Sequence, residues 1–285
     1  MKKRLERTGV MLAYPLDDKF RQRLNAGTLK SNFYAQPKLN GERCRAEYDS
    51  STGTYQLFSS YGNRFLGFQH IEEKLNQIGK GITWDGELYF HGWPRETIHS
   101  IASRKTNPHP LADKLQFHIF DSIENKPQWE RLLRMYSILH RESPIHLVPT
   151  DAISSEEEMV TLLDRYLAYE YEGIILRDPQ EYYTPKRSKA LIKFKPNKTD
   201  RYRIIGVEEE IDIYGDPKDS LGAVTVIDNS GNVFNVGSGS ALTKEGRKHF
   251  WEKRDSIIGM NAIVKHSIIL TTNNIPTCTS LISIE

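Results

Sequence analysis

Apolar and polar residues alternate along several short segments of this chain, a pattern that is typical of strands. Residues 43–49 and 54–59 match the two arms of a hairpin, joined by the Ser-Ser-Thr-Gly turn at 50–53. The segments 82–90 and 115–123 are rich in β-branched and aromatic residues and alternate in part. We therefore expect antiparallel sheets in the first two thirds of the chain.

Two segments instead show the 3.6-residue period of amphipathic helices. The first, 127–141, opens with Pro127, a residue that is favoured in the first turn. Its expected apolar face consists of Trp129, Leu132, Leu133 and Tyr136. The second, 155–169, begins after two serines that are followed three residues later by glutamates, the spacing of a capping box. Its expected apolar face consists of Met159, Leu162, Leu163 and Tyr166.

The pattern changes near the segment KPNKTD at 195–200, which we interpret as a hinge. Short strands follow, and a helix is expected around 244–254. The expected strands are 203–209, 221–228, 233–237 and 262–269, with a tight turn at 229–231. About 85 residues of this kind are typical of a small β-barrel such as an OB-fold. The sequence therefore predicts two domains, 1–200 and 201–285.

Composition narrows the class of protein. A net charge of +2 over 285 residues does not indicate a nucleic-acid binder, so any basic surface has to be local. The two cysteines have no metal-ligand spacing, which favours a reducing compartment. No apolar run approaches the roughly 18 residues of a membrane span, and the basic N-terminus lacks the apolar core of a signal peptide. We expect a soluble intracellular protein.

Five short motifs follow one another in order and contain reactive or charged side chains. They are KLNGER at 38–43, DGEL at 85–88, FD at 120–121, EGIILR at 172–177 and KRSKALIKFK at 186–195. Taken singly, each has an ordinary explanation, because most lysines are surface charges and most phenylalanines are core residues. Together they supply the parts of a nucleotide site.

Each type of side chain in this set matches one need of a nucleotide reaction. Lys38 is the candidate nucleophile, since neighbouring cations lower the pKa of an amine. Glu87 and Glu172 are candidate ligands of Mg²⁺, and Phe120 offers an aromatic face to a base. The cations expected to neutralise phosphate charge are Arg187, Lys193 and Lys195.

The ordered motifs resemble those of the covalent nucleotidyltransferases, which include ATP-dependent DNA ligases, RNA ligases and mRNA capping enzymes. The segments FYAQPKLNGERCR, KRSKALIKFKP and LGAVTVIDNSGNVFNVGSGSALTKEGR are similar to the DNA ligase branch, and the resemblance covers roughly residues 10 to 270. It implies an α+β fold: a nucleotidyltransferase (adenylation) domain of antiparallel sheets with helices, followed by a small OB-fold β-barrel.

The resemblance also implies a role for each residue around the nucleoside. Lys38 becomes adenylylated by ATP and so carries the catalysis. The backbone around Gln36 contacts the adenine edge, and Phe120 stacks on the adenine. Arg43 contacts the ribose side of the nucleotide, and Glu87 also meets the ribose.

The remaining implied roles concern metal, phosphates and partners. Glu87 and Glu172 assist the binding of Mg²⁺, and the phosphates are handled by Arg187, Lys193 and Lys195. The implied partner is nicked duplex DNA, which a monomeric enzyme seals through a lysyl-AMP and a DNA-adenylate. DNA repair, replication and recombination are the corresponding processes. The small size is similar to viral or accessory bacterial enzymes, and a viral enzyme would act in the host cytoplasm.

The chain departs from the family pattern at three places. Asn40 replaces the usual aspartate of the lysine motif. Ser60 stands where an arginine that binds the 5′-phosphate of a nick is expected, and Arg64 is a candidate replacement. No cation follows Pro276, where the family has a basic motif for pyrophosphate. Candidates for that charge are Lys265 and His266.

Two alternatives to a DNA ligase stay open at this point. One is an RNA ligase or a capping guanylyltransferase of the same superfamily. The other is a noncatalytic nucleic-acid-binding module that has kept the fold, which the three departures favour. The presence of the lysine, both glutamates and the two lysines of the last motif favours catalysis.

Overall fold

The computed structural model describes residues 9–28, 32–79, 81–139, 143–267, 275–276 and 279–285. The chain divides into two compact units, and the division lies between Phe194 and Lys195. Mostly antiparallel sheets and helices occur in both units, which confirms the predicted α+β class. Among the described residues, no helix is long and apolar enough to span a membrane.

The first unit contains two five-stranded sheets. The strands of the first sheet are β1 (Leu12–Pro15), β2 (Phe33–Lys38), β8 (Asp151–Ile153), β9 (Gly173–Arg177) and β10 (Arg187–Phe194). Those of the second are β3 (Glu42–Asp49), β4 (Thr54–Ser59), β5 (Trp84–Tyr89), β6 (Gln116–Ser122) and β7 (Ile145–Leu147). The spatial orders are β1-β10-β9-β2-β8 and β4-β3-β5-β6-β7. The predicted hairpin is present as β3 and β4.

Helices cover these sheets and complete two apolar cores. They are α1 (Asp18–Asn25), α2 (Gln69–Ile78), α3 (Arg95–Ala102), α4 (Gln128–Ile138) and α5 (Glu156–Ala168), with a short 3-10 helix at Ala112–Lys114. The predicted serine cap of α5 is confirmed, because the Ser155 hydroxyl accepts from the Glu158 N–H at 3.1 Å. The Glu158 carboxylate accepts from the N–H of Ser154, one residue before the N-cap, at 2.6 Å, which is a variant of the capping box. The predicted apolar face of α5 is buried.

The predicted orientation of α4 is wrong. The buried residues of this helix are Gln128, Arg131, Leu132 and Met135. Of the expected apolar face, Trp129 is 39% exposed, Leu133 61% and Tyr136 46%, so only Leu132 is buried as predicted. On the buried side of the helix, the Arg131 guanidinium binds the fully buried Asp121 (Nε to Oδ1, 2.8 Å), a carboxylate that would be strongly destabilising without this partner. The helix also ends at Ile138, and residues 140–142 lie outside the described ones.

The second unit is one five-stranded antiparallel sheet with helices. Its strands are β11 (Asn197–Ile211), β12 (Pro217–Ile227), β13 (Val233–Val236), β14 (Asn261–Ser267) and β15 (Ser280–Ile284), and its helices are α6 (Lys244–Glu252) and α7 (Arg254–Ile257). The order is β13-β12-β11-β14-β15. Within the described residues the ladder is not closed, although the Leu281 N–H of β15 donates to the Ser238 carbonyl, just after β13, at 2.7 Å.

The division between the units lies slightly earlier than the expected boundary near residue 200. Residues 197–203 pair with 267–261 of β14, so the segment expected as a hinge is largely the start of a strand. Inter-strand hydrogen bonds thus hold most of this segment in the second unit.

Candidate active site

Lys38 is the last residue of β2 and lies beside the first residue of β9. In the register of these strands it faces Gly173, and its carbonyl accepts the N–H of Glu172 at 3.0 Å. The ammonium of Lys38 also forms an ion pair with the Glu172 carboxylate. About a quarter of the Lys38 side chain (24%) is exposed, whereas Glu172 is buried. The amine is therefore reachable from solvent and is oriented by a fixed carboxylate.

The turn after Lys38 fixes a second carboxylate. The N–H of Gly41 donates to Oε1 of Glu87 at 2.6 Å. A Cβ at Gly41 would lie 2.3 Å from the carbonyl oxygen of Leu88, so only glycine allows this approach. Burial raises the pKa of Glu87, the charge of Lys38 opposes this shift, and the charge of Glu172 adds to it. The two carboxylates and the lysine thus influence one another electrostatically.

Arg43 lies directly opposite Glu87 in the register of β3 and β5. Its guanidinium makes two hydrogen bonds to the fully buried Asp85, with Nε at 2.7 Å from Oδ1 and Nη2 at 2.5 Å from Oδ2. The guanidinium carbon lies 4.5 Å from the centre of the Phe120 ring. Burial acts to lower the pKa of Arg43, but the charge and hydrogen bonds of Asp85, together with electrostatic attraction to Tyr183 and Glu87, outweigh it, and the pKa lies above its ordinary value. Arg43 is therefore a permanent cation beside the predicted base-stacking ring.

The side chain of Gln36 is buried and fully used in internal contacts. Its amide oxygen accepts from Nε of Arg177 at 2.7 Å, and its amide nitrogen donates to the Phe120 carbonyl at 3.2 Å and to Thr150 Oγ1 at 2.9 Å. This arrangement ties β2 to β6 and β9. These side-chain contacts do not test the expected contact of the Gln36 backbone with adenine, which stays a prediction.

A buried ionic network lies beneath Phe120. Asp121 is fully buried and binds Arg131 and also Arg177, whose Nη1 is 2.7 Å from Oδ2. The Arg177 guanidinium lies 5.1 Å from the centre of the Phe120 ring. The sequence motifs contained Asp85, Asp121 and Arg177, but no role was predicted for any of them. The charged residues inside otherwise apolar strands were the available signal.

The predicted phosphate-binding cations lie at different places. Lys193 shares a sheet face with Gln36, because both residues face Ile175 in register. Arg187 is at the opposite end of β10, where its guanidinium donates to the Ala13 carbonyl at 2.6 Å. Lys195 follows β10 and is the first residue of the second unit. The structure thus brings Lys193 to the face of the sheet that contains Gln36, whereas the Arg187 side chain is hydrogen-bonded to β1.

Arg64, the candidate replacement for the nick-binding arginine expected at Ser60, is engaged in contacts with the neighbouring sheet and helix. Ser60 is buried, and Arg64 pairs with Glu72 at 2.5 Å. The Arg64 guanidinium also donates to the carbonyls of Leu57 at 3.3 Å and Phe65 at 2.9 Å. These contacts hold the turn after β4, so they favour a structural role for Arg64.

The two candidates for the missing tail cation differ in exposure. His266 is 3% exposed, and its Nε2 lies 2.9 Å from Oδ2 of Asp200 and 3.1 Å from the hydroxyl of Tyr202. Lys265, next to it in β14, is exposed. Of the two, Lys265 is therefore the cation that can reach a ligand. Residues 268–274 and 277–278 of the tail lie outside the described ones.

Comparison with known proteins gives one family. A family model for the ATP dependent DNA ligase domain matches residues 10–195. The chain is 30% identical to a DNA ligase of African swine fever virus over 177 residues, which are 56% of this chain and 41% of the viral protein. The match thus spans about two fifths of the length of that relative.

Solved structures match over both units. A Lig E DNA ligase described as binding DNA with a minimal scaffold has a TM-score of 0.75 and 21% identity, covering 97% of this chain and 99% of that one. The Chlorella virus DNA ligase-adenylate has a TM-score of 0.52 and 21% identity, covering 98% of this chain and 99% of that one. These likenesses confirm the predicted fold class, an adenylation domain followed by an OB-fold.

Proposed function

Because this chain belongs to the family of the ATP dependent DNA ligase domain, we propose that it is an ATP-dependent DNA ligase that seals nicks in duplex DNA. The observation that carries the proposal is the placement of Lys38, a partly exposed amine held between strands by Glu172 and followed by the turn that binds Glu87. A surface lysine needs neither contact, whereas a nucleophile needs an oriented amine beside groups that organise phosphate charge.

The first step is attack of the neutral Lys38 amine on the α-phosphorus of ATP. A phosphorus–nitrogen bond forms, the bond to the bridging oxygen of the β-phosphate breaks, and pyrophosphate leaves with that electron pair. The amine has to separate from Glu172 and lose a proton before it attacks. Arg43 and Glu87 lie on the ribose side, and Lys193 neutralises phosphate charge.

The donor set near Lys38 fits Mg²⁺. Glu87 and Glu172 provide carboxylate oxygens, the ligands that Mg²⁺ prefers, and such sites usually use one or two carboxylates together with substrate phosphates and water. Among the described residues, no group of three or more His, Cys, Asp or Glu side chains is arranged to hold a metal without such help. When bound, Mg²⁺ would supply charge neutralisation to the phosphates.

The later steps use DNA as substrate. The adenylyl group passes to the 5′-phosphate at a nick, and the adjacent 3′-hydroxyl then displaces AMP and joins the strand. The contacts to DNA involve the phosphate backbone rather than base edges, so affinity falls steeply with salt. We expect a monomer that acts inside the cell, in the host cytoplasm if the source is a virus.

The test combines adduct formation and nick sealing. Wild-type protein, first treated with pyrophosphate to remove any bound AMP, is mixed with Mg²⁺ and ATP labelled on the α-phosphate, beside Lys38→Ala. We expect label on denatured wild type and none on the variant. Sealing of nicked duplex DNA, compared with nicked duplex RNA and with GTP in place of ATP, then identifies the substrate. A wild-type protein that forms no adduct contradicts the proposal.

A further inference from the structure

Tyr183, in the connection between β9 and β10, has a hydroxyl that forms hydrogen bonds to two other segments. The hydroxyl donates to Oδ2 of Asp85 on β5 at 2.6 Å and accepts the N–H of Met11, just before β1, at 2.9 Å. Asp85 in turn binds the Arg43 guanidinium through both of its oxygens. The Met11 carbonyl accepts from the same guanidinium at 3.3 Å. The four residues form a closed set of hydrogen bonds.

The Tyr183 hydroxyl acts as a hydrogen-bond donor to a buried carboxylate and does not merely fill space. Asp85 is fully buried, and a buried carboxylate depends on its donors for stabilisation. Burial, and then the charge of Asp85, raises the pKa of Tyr183, so the hydroxyl keeps the proton that it donates. Without that donor, Asp85 and the Met11 N–H each lose one partner. The carboxylate that orients Arg43 is then less firmly placed.

We propose that Tyr183 is a positioning residue that sets the orientation of Arg43 through Asp85 and so strengthens the binding of a nucleoside triphosphate. The proposal rests on the proposed function, in which Arg43 lies on the ribose side of the nucleotide. Tyr183 itself touches no reacting atom. Its effect is expected on nucleotide affinity, because Arg43 contacts the nucleoside before and after the bond changes.

The connection that contains Tyr183 is held by other contacts as well, so loss of one hydroxyl leaves it in place. The carbonyls of Pro179 and Glu181 accept the N–H groups of Trp129 and Gln128 at the start of α4, both at 3.0 Å. Tyr183→Phe is therefore expected to fold. Tyr182→Phe is the matched control, since Tyr182 is adjacent in sequence and 51% exposed.

The experiment measures equilibrium binding of α,β-methylene-ATP, which cannot transfer its adenylyl group, by calorimetry. Tyr183→Phe is expected to raise the Kd about tenfold, the size expected for loss of one hydrogen bond to a charged group, and Tyr182→Phe less than about twofold. Thermal unfolding of both variants is recorded in parallel. An unchanged Kd, with or without a lower Tm, overturns the proposal and leaves Tyr183 as a purely structural contact.

A double-mutant cycle tests the route through Arg43. Lysine lacks the planar fork that binds both Asp85 oxygens, so in an Arg43→Lys background Tyr183→Phe is expected to change the Kd less than about twofold. A full tenfold effect in that background overturns the proposal.

Adduct formation on Lys38 is scored separately with ATP. Normal binding of the analogue with the expected Tyr183 effect but no adduct contradicts nick sealing and supports the role of Tyr183. Failure of wild type to bind the analogue contradicts both.

Discussion

Lys38 and Glu172 are joined twice, once through the backbone and once through their side chains. The Glu172 N–H donates to the Lys38 carbonyl at 3.0 Å, and the Glu172 carboxylate pairs with the Lys38 ammonium. The backbone contact fixes the register of β2 and β9 at the place where the amine emerges. The ion pair then orients the amine, and in the proposed reaction it has to open before the nitrogen can attack phosphorus.

Replacement of Glu172 by glutamine is expected to slow lysyl-AMP formation about 100-fold, because the variant loses both a proposed carboxylate ligand of Mg²⁺ and the group that orients the amine. Single-turnover labelling with α-labelled ATP at several Mg²⁺ concentrations measures the loss. The matched control is Glu157→Gln, an exposed glutamate in the first turn of α5, which is expected to react at the wild-type rate. Equal rates for the two variants would show that Glu172 has no part in the reaction.

Glu87→Gln is expected to raise thermal stability at neutral pH while it impairs adenylylation. Burial raises the pKa of Glu87 above its ordinary value of 4.5, so the folded state binds this proton more tightly than the unfolded state does. The contribution of Glu87 to the free energy of unfolding is thus fully present below about pH 4.5, and it is lost as the pH rises through the raised pKa. Glutamine removes the partly buried charge and keeps an oxygen for the Gly41 N–H.

Calorimetric Tm values of wild type and Glu87→Gln between pH 4 and pH 8 test this sign. The advantage of the variant should be largest at the alkaline end and disappear toward pH 4. A difference that grows as the pH falls would contradict the assigned direction of the shift.

Gly41→Ala is expected to destabilise the protein and abolish adduct formation. The added Cβ would meet the Leu88 carbonyl oxygen at 2.3 Å and the Glu87 Cγ at 3.0 Å, so the turn after Lys38 has to move. Gly79→Ala is the control, since nothing lies within 4 Å of its Cβ and its φ of 163° is extended backbone. Denaturant unfolding and α-label incorporation check both variants, and an active Gly41→Ala would refute the need for close approach here.

Asp121→Asn is expected to lower the free energy of unfolding by about 3–5 kcal/mol, because two buried guanidinium groups lose their shared counter-charge. Asp121 is fully buried between Arg131 and Arg177. The comparison is Glu130→Gln, which removes an exposed pair with Lys126 at 3.5 Å and is expected to change stability by less than about 0.5 kcal/mol. Urea unfolding of the two variants measures the difference. Equal effects would mean that the network is not a major source of stability.

Arg64→Ala is expected to lower the Tm and to leave nick recognition unchanged. Its guanidinium pairs with Glu72 and binds two carbonyls of the turn after β4. The measurement is the affinity for a nicked duplex with the 5′-phosphate divided by the affinity for the same duplex without it. If that ratio falls toward one in the variant, Arg64 binds the phosphate after all.

Local patterns of residues were sufficient to predict the elements whose signals lie within one segment. The capping box and apolar face of α5 lie within one segment, and the hairpin of β3 and β4 follows from alternation and one turn. The motifs also singled out Lys38, Glu87 and Glu172, which the structure brings together, although their roles in catalysis stay predictions. Local spacing is sufficient for such features, since the residues that define them are neighbours along the chain.

Features that depend on partners distant in sequence became visible only in the folded chain. The exposed face of α4 is the one that its apolar residues predicted to be buried, since Asp121 holds Arg131 inside. Arg43 acquires its orientation from Asp85 and Tyr183, which are far from it in sequence. A buried carboxylate without its counter-charge is strongly destabilising, whereas an exposed apolar side chain is common at protein surfaces, and no local pattern records where that partner will be.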